Sequence, residues 1–159
     1  MATLPQLIEE DIQVLEDTLQ EFLAHTDATT ALVIDKGGFL IASQGDRNQF
    51  DLTTIAALAS GAFMANQTIA SMVQEANFTS VYQQGEKSSM FVLCIDEQCL
   101  LVTIFKAGLS VGLIKYFAGP AAERIAEQLK VAHQRDPAGG LDLSILNMAD
   151  PSEMFKKRS

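Results

Sequence analysis

The sequence predicts an α+β domain in which a five-stranded antiparallel sheet carries helices on both faces. Three segments repeat apolar residues at helical spacing, and strand-like segments separate them in one group of two and one group of three. The last two strand-like segments are apolar at almost every position, which is typical of strands buried on both faces. The predicted order is α-β-β-α-β-β-β-α.

The first helix and the first hairpin follow from residue spacing. Apolar residues recur at helical intervals with carboxylates between them, which predicts an amphipathic helix over residues 5–25. Residues 31–34 predict a short strand, and residues 39–42 predict a second one. Asp-Lys-Gly-Gly at residues 35–38 supplies the turn between them, because glycine tolerates a positive φ.

The second predicted helix spans residues 52–74 and contains no charged side chain. Asp51 is expected to cap its first turn by accepting hydrogen bonds from free amides. A membrane span is the alternative, since about 20 apolar residues suffice to cross a bilayer. We instead predict a soluble helix with more than one face covered, because eight polar residues interrupt the run: Thr53, Thr54, Ser60, Asn66, Gln67, Thr68, Ser71 and Gln74.

Three strands and a third helix are predicted in the second half of the chain. The strands fall at residues 78–84, 89–95 and 99–105, and the helix at residues 110–134. Gly119 and Pro120 lie inside the helical pattern, which predicts either a kink or a helix that starts late.

Residues 1–136 are predicted to form the domain, and residues 137–159 a flexible linker with an acidic, apolar tail. Asp150 is placed to cap a short helix that ends in Met154 and Phe155. Such a tail is suited to a groove in its own domain or in a partner. Folding back onto its own dimer is an equally open alternative.

Composition and motifs argue against several function classes. A net charge of −9 disfavours a nucleic-acid partner, because phosphate binding requires clustered Lys and Arg. His25 and His133 stand apart without neighbouring ligand types, and Cys94 and Cys99 lack the further ligands of a zinc site. We predict no catalytic residue, no metal and no cofactor, and buried packing for both cysteines.

The N-terminus has no basic start followed by an apolar stretch, so a secretory signal is not predicted. We therefore expect a cytoplasmic protein without membrane insertion, in which the cysteines stay reduced.

The second helix indicates a protein-protein interface. One face carries apolar residues enough to cover a sheet: Leu52, Ile55, Ala59, Phe63, Ile69 or Ala70, and Val73. The opposite face is small, apolar or uncharged where a monomer normally places charges: Leu58, Gly61, Met64, Ala65, Thr68 and Met72. The strand at 78–84 has the alternation of an unprotected edge, which pairs readily across a two-fold axis. We predict a homodimer, with either a third chain or further self-contact on the remaining helix surface.

Several segments together resemble the roadblock (dynein light chain) superfamily. "ALVIDKGGFLIAS" at residues 31–43 has the family's strand, Asp-x-x-Gly turn and second strand. The residues 50–91 and "LLVTIFKAGLSVGLIKY" at 100–116 are similar to the bacterial gliding-motility regulator B (MglB-like) family, which activates a Ras-like polarity GTPase. "MADPSEMF" at 148–155 resembles the acidic, Phe-ended tail of that family.

The resemblance implies a roadblock/longin-like fold and a homodimer whose sheet continues across both subunits. The implied dimer contacts are Leu58, Met72, Phe78, Val81 and Tyr82. The implied GTPase-binding face is Ala57, Ser60, Gly61, Met64, Ala65 and Thr68, with a separate tail contact through Met154 and Phe155. Such a dimer stimulates hydrolysis through the GTPase's own residues. A scaffold that only localises a GTPase or polarity protein is the alternative, and an enzyme or small-ligand sensor ranks last.

Overall fold

The computed structural model describes residues 4–135, which form three helices and one sheet. The predicted α+β class and the α-β-β-α-β-β-β-α order are confirmed. The predicted linker and tail lie outside the described residues. In chain order the elements are α1 (Glu9–Thr26), β1 (Thr30–Asp35), β2 (Leu40–Gly45), α2 (Leu52–Met72), β3 (Ser80–Gln83), β4 (Ser88–Cys94), β5 (Cys99–Lys106) and α3 (Val111–Gln134).

The sheet is antiparallel throughout, with strand order β2-β1-β5-β4-β3. The central strand β5 is buried at residues 99–105, as its unbroken apolar sequence predicts. At the middle of the sheet Leu32, Val102 and Val92 lie in register on neighbouring strands. The first hairpin closes where Gly38 takes a φ of 99°.

Helices cover both sheet faces, as predicted. Successive residues of a strand point to opposite faces. Ala31 and Val33 accordingly pack with α1 and α3, whereas Leu32 and Ile34 pack with α2. The sheet is therefore the middle layer of three, and α2 is the single described helix on its side.

A buried carboxylate joins the start of α1 to the end of α3. Asp11 is fully buried, and its two oxygens accept hydrogen bonds from the Arg135 guanidinium at 2.7 and 2.9 Å. Gln128 and the backbone N–H of Ile8 donate to the same carboxylate at 2.7 and 2.8 Å. Hydrogen bonding from Arg135 lowers the pKa of Asp11 to about 2, against the opposing effect of burial. The two helices are thereby held antiparallel.

The third helix begins at Val111, so a late start is wrong. The Ser110 hydroxyl oxygen accepts hydrogen bonds from the N–H groups of Gly112 and Leu113, which caps the helix at this point. Pro120 lies inside the helix and has no N–H to donate to the Tyr116 carbonyl. The helix nevertheless continues through Pro120, and Ala118 and Ala121 on either side of it are buried.

None of the helices in residues 4–135 has the length and apolar character that crossing a membrane requires.

A candidate protein-interaction face on the second helix

The start of α2 is set by Asp51, as predicted. Its carboxylate accepts hydrogen bonds from the backbone N–H of Thr54 at 3.1 Å and from the Thr54 hydroxyl at 2.7 Å. These bonds lower the pKa of Asp51, because they stabilise the ionised carboxylate. From this cap α2 runs over the sheet and packs on residues of β1, β5 and β4, including Leu32, Val102 and Val92.

The buried side of α2 largely follows the prediction. Leu52, Ala59, Phe63 and Ala70 are buried against the sheet, and Ile55 is partly buried. Val73 was expected on this side but is 62% exposed. The helix ends at Met72, so the helical spacing that predicted a buried position for Val73 no longer applies there.

The other side of α2 is open and uncharged. Leu58 is 68% and Met72 is 76% exposed, and Met64 and Ile69 are also exposed. Small or neutral polar residues lie between them: Ala57, Gly61, Ala62, Ala65 and Thr68. Exposed apolar area without charge is a mark of a protein-binding surface. We call these nine residues the open face of α2.

Five of the six residues expected to contact a GTPase lie on this open face: Ala57, Gly61, Met64, Ala65 and Thr68. Ser60 does not. It is only 3% exposed, because it follows Ala56 by one helical turn and therefore faces the core side. Its hydroxyl donates a hydrogen bond to the Lys36 carbonyl, which ties α2 to the first hairpin.

The β1–β2 turn adjoins the open face and contributes a residue that the sequence analysis assigned to a strand. A Cβ on Gly38 would lie 3.3 Å from the Ala57 Cα, so this turn touches the helix. The next residue, Phe39, is 71% exposed and precedes β2, which begins at Leu40. An aromatic residue immediately after two turn glycines was the available signal.

Strand β3 is an edge of the sheet, as predicted, and pairs only with β4 among the described residues. Gln67 links this edge to α2, a contact that sequence analysis missed. Its side-chain amide donates to the Phe78 carbonyl at 2.7 Å and accepts from the Phe78 N–H at 3.1 Å. The edge and the open face therefore form one connected region.

The residues expected at a dimer interface divide between the two sheet faces. Leu58 and Met72 are exposed on α2, and Val81 packs against the core on the α2 side. Tyr82 instead stacks on Phe105 on the opposite side, with ring centroids 6.2 Å apart. Phe78 is partly buried just before β3. The set therefore surrounds the β3 edge.

The cysteines and His25 of the described region are packed against other residues and do not form a reactive site. Cys99 is fully buried, as predicted, and burial raises its pKa to about 12. Cys94 is partly buried, and His25 stacks on Phe117 with a centroid distance of 4.9 Å. Within residues 4–135 no three His, Cys, Asp or Glu residues are placed to hold a metal ion. Residues Met154 and Phe155, the expected tail contact, lie outside the described range.

Comparisons with solved structures show the same fold. A structure described as MglB with a tetrameric arrangement is 29% identical, with a TM-score of 0.77 over 83% of this chain and 99% of that one. A gliding protein MglB from Thermus thermophilus is 28% identical, with a TM-score of 0.76 over 82% and 99%. MglB from Myxococcus xanthus, at 23% identity, has a TM-score of 0.76 over 82% and 98%.

No curated protein sequence matches the chain. The sequence profile of the Roadblock/LC7 domain matches residues 14–105, which is more than half of the chain and includes nearly the whole sheet. This chain belongs to the Roadblock/LC7 domain family.

Proposed function

We propose that the chain is a homodimeric regulator of a small Ras-like GTPase that serves cell polarity or motility in the cytoplasm. The observation that carries the proposal is the open face of α2, uncharged and joined to an unpaired sheet edge. The similarity of the chain to two MglB structures at 28–29% identity, one of them described as a gliding protein, also supports the proposed function.

The proposed dimer pairs β3 with β3 of a second copy and brings the two α2 helices side by side. Pairing would satisfy the free N–H and C=O groups of the edge and continue the sheet through both subunits. Leu58 and Met72 would then lose their large exposure to water. The predicted contacts Phe78, Val81 and Tyr82 surround this edge on both sheet faces.

The proposed GTPase contact uses the part of the open face where the side chains are small. Ala57, Gly61 and Ala65 leave room for close approach of another backbone, and Met64 offers an adaptable apolar contact. Thr68 is a neutral polar residue at the end of this row. With no ionisable side chain on α2, the dimer would act by positioning the switch segments of the GTPase, whose own residues would hydrolyse GTP.

The experiment uses a double substitution on the open face. Met64→Arg with Thr68→Arg places two charges one helical turn apart on an exposed surface. The matched control is Gln20→Arg with Ala24→Arg, which has the same spacing on exposed α1. We expect the first variant to stay folded and dimeric but to lose binding to the cognate GTPase, and the control to bind normally. Retained binding by the α2 variant would overturn the assigned face.

A scaffold that binds a GTPase without stimulating it is the second candidate. The uncharged open face favours it, since no side chain there is able to stabilise charge at a nucleotide. The two functions separate when GTP hydrolysis is measured while the dimer is titrated into the micromolar range. A rate that rises with bound dimer supports activation, whereas complex formation at an unchanged rate supports the scaffold. The predicted tail contact through Met154 and Phe155 belongs to either function.

A further inference from the structure

A groove lies on the side of the molecule opposite α2, between the second half of α1 and the first half of α3. It has a volume of about 450 Å³. Its walls include Phe22 and His25 from α1, with Tyr116, Phe117, Pro120 and Ala121 from α3. It is separated from the open face by the sheet. The proposed dimer and GTPase contacts therefore leave it uncovered.

Three of the polar side chains around this groove, Thr18, Glu21 and Arg124, already have partners. The Thr18 hydroxyl donates to the Val14 carbonyl at 2.7 Å. Arg124 and Glu21 pair across the groove at 3.1 Å. The remaining wall is aromatic and aliphatic, and Tyr116 is 73% exposed. Because most of the wall is aromatic or aliphatic, the groove favours an occupant with apolar side chains.

The exposed side of α3 forms a path from the end of the helix to this groove. Tyr116, Pro120, Arg124, Glu127 and Val131 follow one another at intervals of three or four residues, so they lie on one side of the helix. All five are exposed, and Val131 supplies an apolar position close to the end of α3.

The chain leaves α3 at Arg135, which Asp11 holds against the start of α1. Arg124 is the lining residue of the groove nearest to the end of α3. It lies 11 residues before Arg135, which corresponds to roughly 17 Å along the helix. Residues 136–140 can span about 17 Å when extended. A linker of this length would allow residues 141–148, Leu-Asp-Leu-Ser-Ile-Leu-Asn-Met, to reach the groove. The apolar side chains of Leu141, Leu143 and Ile145 alternate with polar ones.

We propose that residues 141–148 of the same chain occupy the α1–α3 groove. The segment supplies apolar side chains that match the apolar wall of the groove, and its linker has the length that the path requires. Its attachment gives it a millimolar effective concentration beside its own groove, which favours it over a free competitor. Docking would also fix the point from which residues 149–159 leave the domain. The inference is independent of the proposed GTPase.

The test is amide hydrogen exchange of the full-length chain, with peptides covering residues 141–148. Docking predicts exchange at least about tenfold slower than that of an unstructured peptide of the same sequence. Protection must be unchanged on tenfold dilution, because the contact is within one chain. Exchange at the unstructured rate would overturn the proposal, and protection that disappears on dilution would assign the groove to a second copy instead.

Substitution of Pro120 is a way to block the groove while keeping α3 helical. Pro120→Arg places a long charged side chain at the groove wall while restoring a helical N–H. Pro120→Ala restores the same N–H without the bulk and is the matched control. We expect Pro120→Arg to abolish the protection of residues 141–148 and Pro120→Ala to retain it. Equal protection in the two variants would contradict docking in this groove.

A second pair of variants tests the segment itself. Leu143→Asp with Ile145→Asp should remove the protection, whereas Ser144→Asp changes a residue on the alternate side and should leave it. Exchange in β5 serves as the measure that the domain remains folded, because this strand is buried. Loss of protection in both variants would show that added charge alone, and not loss of the apolar contact, removes the protection of residues 141–148. That result would overturn the proposal.

Discussion

Replacing Asp11 by Asn should remove the strongest polar contact between α1 and α3. The carboxylate accepts both bonds from Arg135, whereas a neutral amide accepts with one oxygen only and presents an NH₂ to the other nitrogen. Hydrogen bonds that involve a charged partner each contribute about 1.5–3 kcal/mol. Because Arg135 remains about a third exposed and can rehydrate, we expect a loss of about 2 kcal/mol in the free energy of unfolding at pH 7.

The same contact predicts a specific pH dependence. In the folded protein the pKa of Asp11 is about 2, below the ordinary value of 3.8 that applies to the unfolded chain. The folded state therefore binds fewer protons, and the stabilisation is complete above about pH 4 and disappears as pH falls through 2. A lowering of this size corresponds to about 2 kcal/mol, which solvent screening of the exposed Arg135 reduces to about 1 kcal/mol.

Urea unfolding of the native protein and of Asp11→Asn, at several values between about pH 7 and about pH 2.5, checks both numbers. The difference in stability between the two proteins should shrink by about 1 kcal/mol toward low pH. Glu21→Gln provides the control, because the Glu21–Arg124 pair is exposed on both sides and should contribute less than about 0.5 kcal/mol. A difference that stays constant with pH would refute the assignment of the lowered pKa to this contact.

Three further substitutions test the packing and the proposed dimer. Thr103→Val should stabilise the domain by about 1 kcal/mol in thermal unfolding, because the buried Thr103 hydroxyl has no hydrogen-bond partner among residues 4–135. Gly45→Ala should destabilise by about 2 kcal/mol or more, since φ is 101° and the added Cβ would collide with the Thr29 carbonyl; a stability within about 0.5 kcal/mol of the native value would contradict this. Leu58→Ala should weaken dimerisation about 30-fold in sedimentation experiments, because each copy loses about 1 kcal/mol of apolar burial. An unchanged dissociation constant would remove Leu58 from the interface.

Local sequence signals predicted the elements well where a single short-range cause was sufficient. The cap at Asp51 and the turn at Gly38 depend on neighbouring residues, and both are found in the structure. The apolar run of β5 predicted a strand buried on both faces for the same reason. Boundaries were less accurate, since α1 begins at Glu9 instead of residue 5 and β3 is shorter than expected. The start of α1 is marked by a local contact, in which the Asp11 carboxylate accepts a hydrogen bond from the Ile8 N–H.

For the open face of α2, too, the sequence predicted the chemical character but not every residue that is exposed. Absence of charge on α2 is a property of composition, and it predicted a protein-interaction surface; in the structure this side of α2 is exposed. Which residues lie on that surface depended on the angle at which the helix meets the sheet. Ser60 is consequently buried, and Val73 is exposed where the helix has ended.

The sequence alone determined the class, the order of elements, the uncharged helix and the edge character of β3, because each follows from the spacing and chemistry of neighbouring residues. The tertiary structure alone decided the contact between Asp11 and Arg135, the link from Gln67 to Phe78 and the groove between α1 and α3. Each of these joins residues that are distant along the chain. No local pattern specifies such a contact, because it arises only when the packed sheet brings two elements together.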